Sequence, residues 1–361
     1  MADLARYHRQ MLLPGFGQEG QRRLLNSTVL IMGCGALGTV SADMLARAGV
    51  GHLKIIDRDF IELTNLQRQV LFDEQDVADE IPKAEAAKRK IARSNSQVKV
   101  TAIVDDLNHT NIERYAEGTD VLIDGLDNFE TRYLANDCAV KHGIPYLYGG
   151  AVSTVGMAYS VLPHTSGGET SWEKGGFETP CYRCLFEEAP APGQTPTCDT
   201  VGVLGPLVSV IANFQVAEAL KILTGNLAQV SRTMLSIDLW ANTISQLSVN
   251  RVWEDGDCQC CKHRNFEYLE GKAGSSADAL CGQDAVQLRH QQTIDGIDLE
   301  EVAERLSQHG EVRRNDFMVR AEVGEAGHKY EITLFADGRA IVKGTGEASV
   351  AKSVYSKYVG N

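Results

Sequence analysis

The sequence contains no apolar run approaching the ~20 residues that a helix needs to cross a bilayer. Its opening residues, Met1-Ala2-Asp3-Leu4, lack the basic and apolar regions of a secretory leader. Both absences set membrane and secreted classes aside and lead to the expectation of a cytoplasmic protein. A basic surplus is missing as well: Lys plus Arg is 35 against 48 for Asp plus Glu, a net charge of −13. A nucleic-acid partner is therefore not expected. No segment recurs at a fixed period. What remains is ordinary globular material, 43% hydrophobic and 23% charged over 361 residues. At ~100–200 residues per domain this is about two domains' worth, long enough to bury a large core without disulfide staples. The nine cysteines are odd in number and several stand in close pairs, which in a cytosolic chain favours metal binding or catalysis over disulfides.

Residues 28 to 148 alternate between strand and helix patterns. Thr28–Met32, His52–Asp57, Val98–Val104, Asp120–Asp124 and Tyr146–Tyr148 read as buried strands. Gly38–Ala48, Lys83–Ser94 and Thr131–His142 read as helices between them. This order predicts an α/β fold: a doubly wound, mostly parallel, Rossmann-like sheet with helices on both faces. Residues 163–200 break the rhythm with a long Pro-, Gly- and Thr-containing loop, a length that is usually functional or mobile. Val208–Leu223 then reads as a half-buried helix. We expect a large domain over residues 1–270, a Gly/Ser-containing linker over 271–282, and a small C-terminal α+β domain over 283–361. In the last segment, Asp298-Leu299-Glu300-Glu301 carries a helix-capping pattern. Tyr330–Phe335 and Arg339–Val342 flank a hairpin turn at Ala336-Asp337-Gly338, and a short helix with Val350, Val354 and Tyr358 closes the chain.

Gly33-Cys34-Gly35-Ala36-Leu37-Gly38 fits G-x-G-x-x-G directly after a strand and before a helix. Glycines there permit a tight turn and close approach of phosphate to backbone N–H groups, and the helix N-terminus favours negative charge. Asp57 ends the next strand, where a carboxylate can accept bonds from ribose hydroxyls. The glycine loop alone does not choose the nucleotide, and NAD is its default. Asn65-Leu66-Gln67-Arg68-Gln69 and Pro82-Lys83 shift the choice, because Arg68 and Lys83 can hold the β- and γ-phosphates that NAD lacks. Asp124 and Asp127 lie at the carboxyl end of a later strand. Two carboxylates beside a triphosphate make sense with an intervening Mg²⁺, for which Asp127 is well placed. Together these residues point to ATP. An NAD-dependent oxidoreductase remains the alternative class and leaves Arg68, Lys83 and the cysteine pairs without a task.

With these motifs, and with Arg6-Tyr7-His8-Arg9-Gln10, Cys181-Tyr182-Arg183-Cys184 and Cys198 through Pro206, the chain resembles the MoeB/ThiF family, bacterial relatives of ubiquitin-activating enzymes. The resemblance runs from Arg6 to about Cys261. It implies Mg²⁺-ATP-dependent adenylation of the C-terminal glycine of a ubiquitin-like sulfur-carrier protein ending in Gly-Gly, with release of pyrophosphate. Such a carrier serves molybdopterin, thiamine or related thiolation. By the same resemblance Gly33, Gly35 and Asp57 hold adenosine and ribose, with Gly38 completing the loop. Asn65, Arg68 and Lys83 hold the phosphates, and Asp127 positions Mg²⁺ and the α-phosphate. Arg9 is matched to an arginine that reaches into the partner subunit's site, which implies a homodimer. Adenylation of a non-carrier peptide stays open, since a nucleotide site does not define the acyl group, and a sulfur donor protein is a further expected partner.

Cys181-x-x-Cys184 and Cys258-x-x-Cys261 stand about 75 residues apart and can supply four thiolates to a tetrahedral Zn²⁺, or form redox dithiols. The resemblance implies the zinc site. Cys260 lies inside the second pair and competes for it, although the two-residue gap favours Cys258 with Cys261. Cys198 stands alone in the loop before Gly202–Gly205, where an exposed thiol near a helix N-terminus can be activated for covalent transfer.

Overall fold

The computed structural model describes residues 4–162, 179–187, 202–273, 279–280, 284–288, 298–325, 328–336 and 339–359. The chain divides into two compact units, Met1–Ala273 and Gly274–Asn361.

The first unit is built on eight strands: β1 Thr28–Met32, β2 His52–Ile56, β3 Lys99–Ile103, β4 Val121–Asp124, β5 Tyr146–Val152, β6 Val155–Val161, β7 Thr233–Asp238 and β8 Thr243–Ser248. Their order across the sheet is β3-β2-β1-β4-β5-β6-β7-β8. The first five are parallel, with Thr28 opposite His52 and Val29 opposite Val121, and the last three pair antiparallel. The central strand β1 is apolar from its second residue because both faces are covered: Val29, Leu30, Ile31 and Met32 are all fully buried. The helices of this unit are α1 His8–Met11, α2 Gly17–Leu25, α3 Ala36–Ala48, α4 Glu74–Ala78, α5 Lys83–Ser94, α6 Ile112–Ala116, α7 Phe129–His142, α8 Tyr182–Leu185, α9 Gly205–Leu223 and α10 Asn250–Asp255. The expected α/β class and mostly parallel sheet are therefore present, with an antiparallel extension at one edge.

The chain winds from β1 through β2 to β3 on one side, and continues from β4 to β5 on the other. The winding direction reverses between β1 and β4, which is where sheets of this kind open a crevice at their carboxyl ends. Helix α9 crosses the β5–β6 region, and its Gln215 donates to Asp124 O at 2.9 Å and Leu147 O at 2.8 Å, tying β4 to β5. Among the described residues, α9 is long and apolar enough by mean composition to cross a membrane, although Ser209, Asn213, Gln215, Glu218 and Lys221 interrupt it and no continuous apolar run results. Here half of it is buried, and Leu207, Val208, Ile211 and Ala212 pack with Leu235 and Ile237 of β7.

The second unit carries β9 Ala279–Leu280, β10 Ala285–Leu288, β11 Val312–Arg314, β12 Met318–Glu325, β13 His328–Phe335 and β14 Ala340–Lys343, in the order β11-β12-β13-β14-β10-β9. Helices α11 Leu299–Leu306 and α12 Ala348–Tyr358 supply Val302, Leu306, Val354 and Tyr358 to the core of this unit, which also includes Val319, Ile332 and Val342 from the sheet. Asp298 caps α11, accepting from Glu300 N at 2.9 Å and Glu301 N at 3.2 Å. β9 lies inside the stretch expected to be linker, and Asp337 and Gly338 of the hairpin turn fall outside the described residues.

Candidate active site

The crevice is lined first by backbone. Gly33 follows β1 with φ +87°, a left-handed conformation that favours glycine. A Cβ there would lie 2.5 Å from Gly125 O, so the loops after β1 and β4 touch. Gly38 is just as constrained, since its Cβ would meet Gly33 O at 2.0 Å. Gly35 differs: the nearest atom to a Cβ would be Gln69 Nε2, at 3.9 Å. It is the N-cap of α3, and no side chain among the described residues bonds the first-turn N–H groups of that helix. Those free donors and the positive end of a thirteen-residue helix face the crevice, a ready site for a phosphate.

Asp57 is fixed from two sides. Its Oδ2 accepts from Cys34 N at 2.6 Å and its Oδ1 from Asp59 N at 2.7 Å, binding the end of β2 to the glycine loop. Lys83 opens α5 and is only 7% exposed. Its Nζ meets Asp59 Oδ2 at 3.0 Å. Burial works against the charge of Lys83, but Asp59, Asp57 and Asp127 together hold its ammonium above the ordinary value of 10.5. Three carboxylates from two loops, those after β2 and β4, thus act on one buried cation. Asp127 is exposed, and Asn128 donates to its Oδ1 at 3.1 Å while capping α7 through Thr131 N at 2.9 Å.

Asn65 ends a short 3₁₀ turn and takes Glu62 N on its Oδ1 at 3.2 Å. Arg68 is partly buried and donates to Thr64 O at 3.1 Å, and the carbonyl of its neighbour Gln67 would lie 3.0 Å from a Cβ on Gly205. Gln69 is 4% exposed and its Oε1 has no hydrogen-bond partner, an orphaned acceptor beside Gly35. Neither Gln69 nor Asp59 was identified as a site residue from the sequence. The Asp57-x-Asp59 alternation just past a strand end was the available signal for the second.

Asp124 requires a correction. It is fully buried and its carboxylate accepts from Leu126 N at 2.9 Å, Arg132 Nε at 3.1 Å and Tyr146 Oη at 2.7 Å. Burial pushes the Asp124 carboxyl up while Arg132 and Tyr146 pull it down. These partners occupy it inside the sheet, so the second carboxylate expected beside Asp127 is not Asp124. Asp59 takes that place on Lys83.

Arg9 is exposed on α1 and lies away from this crevice. The short helix is held by its neighbours: Gln10 donates to Ala48 O at 2.9 Å, Arg6 to Ser94 O at 2.7 Å, and Tyr7 Oη accepts from Asn95 at 2.9 Å. Those partners lie at the carboxyl ends of α3 and α5, whereas Gly35 and Lys83 lie at their amino ends. Thirteen residues of α3 span about 20 Å, more than an arginine side chain reaches.

The cysteine pairs come together. The sulfurs of Cys181, Cys184, Cys258 and Cys261 all lie within 4.8 Å of one another. Individual separations are 3.8 Å for Cys181–Cys184, 3.6 Å for Cys181–Cys258 and 3.4 Å for Cys184–Cys261. Four thiolates at ~2.3 Å from a zinc ion stand ~3.8 Å apart, so the donor set fits tetrahedral Zn²⁺. Cys260 stands outside this group and faces Asn136, whose Nδ2 lies 3.3 Å from its sulfur. Cys198 falls outside the described residues.

Residues 7–260 match the ThiF family. The chain is 41% identical to the sulfur carrier protein ThiS adenylyltransferase of Bacillus subtilis, over 98% of this chain and 99% of that protein. It is 36% identical to the SAMP-activating enzyme E1 of Haloferax volcanii, over 74% of this chain and 92% of that one. Among solved structures, E. coli MccB with ATP superposes with a TM-score of 0.54 at 25% identity, covering 68% of this chain and 71% of the other. A glycine loop and a buried lysine among carboxylates sit within residues 7–260, the four-thiol cluster reaches one residue past them at Cys261, and the chain belongs to the ThiF family.

Proposed function

We propose that the protein uses ATP to adenylate the C-terminal glycine of a ubiquitin-like sulfur-carrier protein. The observation that carries this reading is Lys83, a buried ammonium held charged by Asp57, Asp59 and Asp127 beside the open N-terminus of α3. Such a cation can hold the terminal phosphates of a triphosphate, which a dinucleotide lacks. In the reaction a carboxylate oxygen of the carrier attacks the α-phosphorus, the bond to the bridging oxygen of the β-phosphate breaks, and pyrophosphate departs. Both reactants are anions, so the chain's main task is alignment and charge neutralisation. The α3 amides and Lys83 hold phosphate oxygens. Asn65 and Arg68 extend that grip, and Asp57 orients the ribose. Asp127, with Asp59 nearby, would hold Mg²⁺, which supplies further neutralisation when bound.

The carrier, rather than another peptide, is favoured by a relative named for a sulfur carrier at 41% identity over 98% of the chain. The exposed Arg9, too far from its own crevice, supports a homodimer in which it serves the partner subunit. The four-thiol cluster would hold a structural Zn²⁺, closed to substrates because all four positions are thiolates. A Gly-Gly end on the carrier, a sulfur donor protein acting after adenylation, covalent participation of Cys198 and a cytoplasmic location complete the reading.

The test is carrier-dependent ATP–pyrophosphate exchange with a Gly-Gly-ended carrier. Wild type should exchange, and Asp127→Ala should lower the rate by at least ~100-fold. Cys198→Ala should leave exchange intact. Exchange that proceeds without any carrier, or none with any Gly-Gly-ended carrier, would sink the assignment.

A further inference from the structure

Helix α7 touches both the nucleotide crevice and the cysteine cluster. At its amino end Asn128 caps the helix beside Asp127. One turn in, the buried Arg132 spreads its guanidinium over three acceptors: Asp124 Oδ2 at 3.1 Å, Leu126 O at 2.6 Å and Gly149 O at 3.4 Å. Leu126 immediately precedes Asp127. The fork therefore fixes the peptide that aims Asp127, and a single ammonium could not reach all three acceptors with the same planarity.

Four residues further, about 6 Å along the same face, stands Asn136. Its Oδ1 accepts from Tyr182 N at 2.8 Å, and its Nδ2 contacts Cys260 Sγ at 3.3 Å and Cys181 Sγ at 3.7 Å. The adjacent Asp137 accepts from Tyr268 N at 3.0 Å. One helical turn thus grips both cysteine knuckles. The space between the two grips is filled by rings, with Tyr182 lying 5.1 Å from Tyr148 and Arg132 5.5 Å over Tyr148.

We propose that α7 is a strut that sets the Leu126–Asn128 loop in register with the metal cluster, with Arg132 as the positioning residue at its active-site end. In this arrangement the four-thiol site does more than hold its own knuckles: by fixing Asn136 and Tyr182 it fixes the direction of Asp127. Arg132 touches no reacting atom in this role and acts through Leu126 and Asp127.

The experiment uses the full zinc-loaded chain and compares wild type, Arg132→Lys and Asn136→Leu. Amide hydrogen exchange at Leu126, Asp127 and Asn128 is followed together with carrier-dependent pyrophosphate exchange. Both variants should raise amide exchange in this loop by about tenfold or more while β1 and α3 keep their protection. Arg132→Lys should lower kcat roughly 10- to 100-fold with less than about a threefold change in the KM for ATP. Asn136→Leu should do the same more weakly with metal content unchanged. Should Arg132→Lys fail to fold, Asn136→Leu and stepwise metal removal from wild type by a chelator carry the same amide readout. Loop protection that stays at the wild-type value in Asn136→Leu, or that survives metal loss while residues 258–261 lose theirs, overturns the proposal. The kinetic arm rests on the adenylation reading. A wild type without carrier-dependent exchange removes that reading, and the amide arm still decides this one.

Discussion

Within the glycine loop, three residues of one motif have separate physical reasons. Gly33 and Gly38 are explained by packing, since added Cβ atoms would strike backbone at 2.5 Å and 2.0 Å. Gly35 has open space around it, so the absence of a side chain there serves whatever enters the crevice. Gly38→Ala should accordingly lower the melting temperature by several degrees, as forced backbone displacement costs on the order of 1–3 kcal/mol. Gly35→Ala should leave melting within about 2 °C and weaken ATP binding several-fold, measured by thermal unfolding and nucleotide titration. Equal melting losses with ATP affinity intact would remove Gly35 from the site. Lys83 gives a second prediction at this scale. Its folded pKa lies above the ordinary 10.5, so its ammonium is fully present below that value and is lost only as pH rises through the raised one. The ratio of ATP affinity in wild type to that in Lys83→Gln should therefore stay flat from about pH 7 to pH 10. A midpoint inside that window would show that Lys83 is not held charged by its carboxylates.

Among elements, the cysteine knuckles can be checked one thiol at a time. Cys261→Ser removes one of four converging sulfurs and should lower both bound metal and melting temperature, because structural zinc contributes directly to folding. Cys260→Ser should keep about one metal per chain, since that thiol faces Asn136 instead. Elemental analysis of the purified variants decides between them, and equal metal loss in both would redraw the ligand set. The elements also show what could be read beforehand. Strands β1 and β4 were legible because strands buried on both faces become nearly continuous apolar runs, and α5 because its Lys83–Ser94 stretch opens after a proline. Strand β8, Thr243–Ser248, was not: all six residues are exposed, so no apolar alternation marks it. At the site, Gly33, Asp57, Lys83 and Asp127 stood in local motifs, whereas Asp59, Gln69 and Arg132 acquire their roles only when distant segments meet. Asp124 was misread for the same reason. Its strand-end position resembles that of a ligand carboxylate, and only the fold brings Arg132 and Tyr146 to it.

For the whole molecule, the question is what Gly274–Asn361 adds. The unit has its own core, built from Val302, Leu306, Val319, Ile332, Val342 and Val354, and the first unit has separate cores around its sheet. The Haloferax relative, named an activating enzyme, matches 74% of this chain over 92% of its own length, so it has no counterpart for most of the remaining residues. The Bacillus relative, named for the carrier ThiS, matches 98% of the chain. The ThiF family match, residues 7–260, lies wholly within the first unit, so the adenylation chemistry is expected there. A chain ending at Ala273 should fold, retain its metal and catalyse carrier-dependent pyrophosphate exchange with kcat within about threefold of the full chain. If the second unit helps hold the carrier, its removal should raise the KM for carrier and leave the KM for ATP unchanged, because uniform binding is lost without loss of transition-state contacts. If instead kcat falls by orders of magnitude in a folded, metal-loaded truncation, the second unit completes the catalytic site, and the division of labour drawn from the two relatives is wrong.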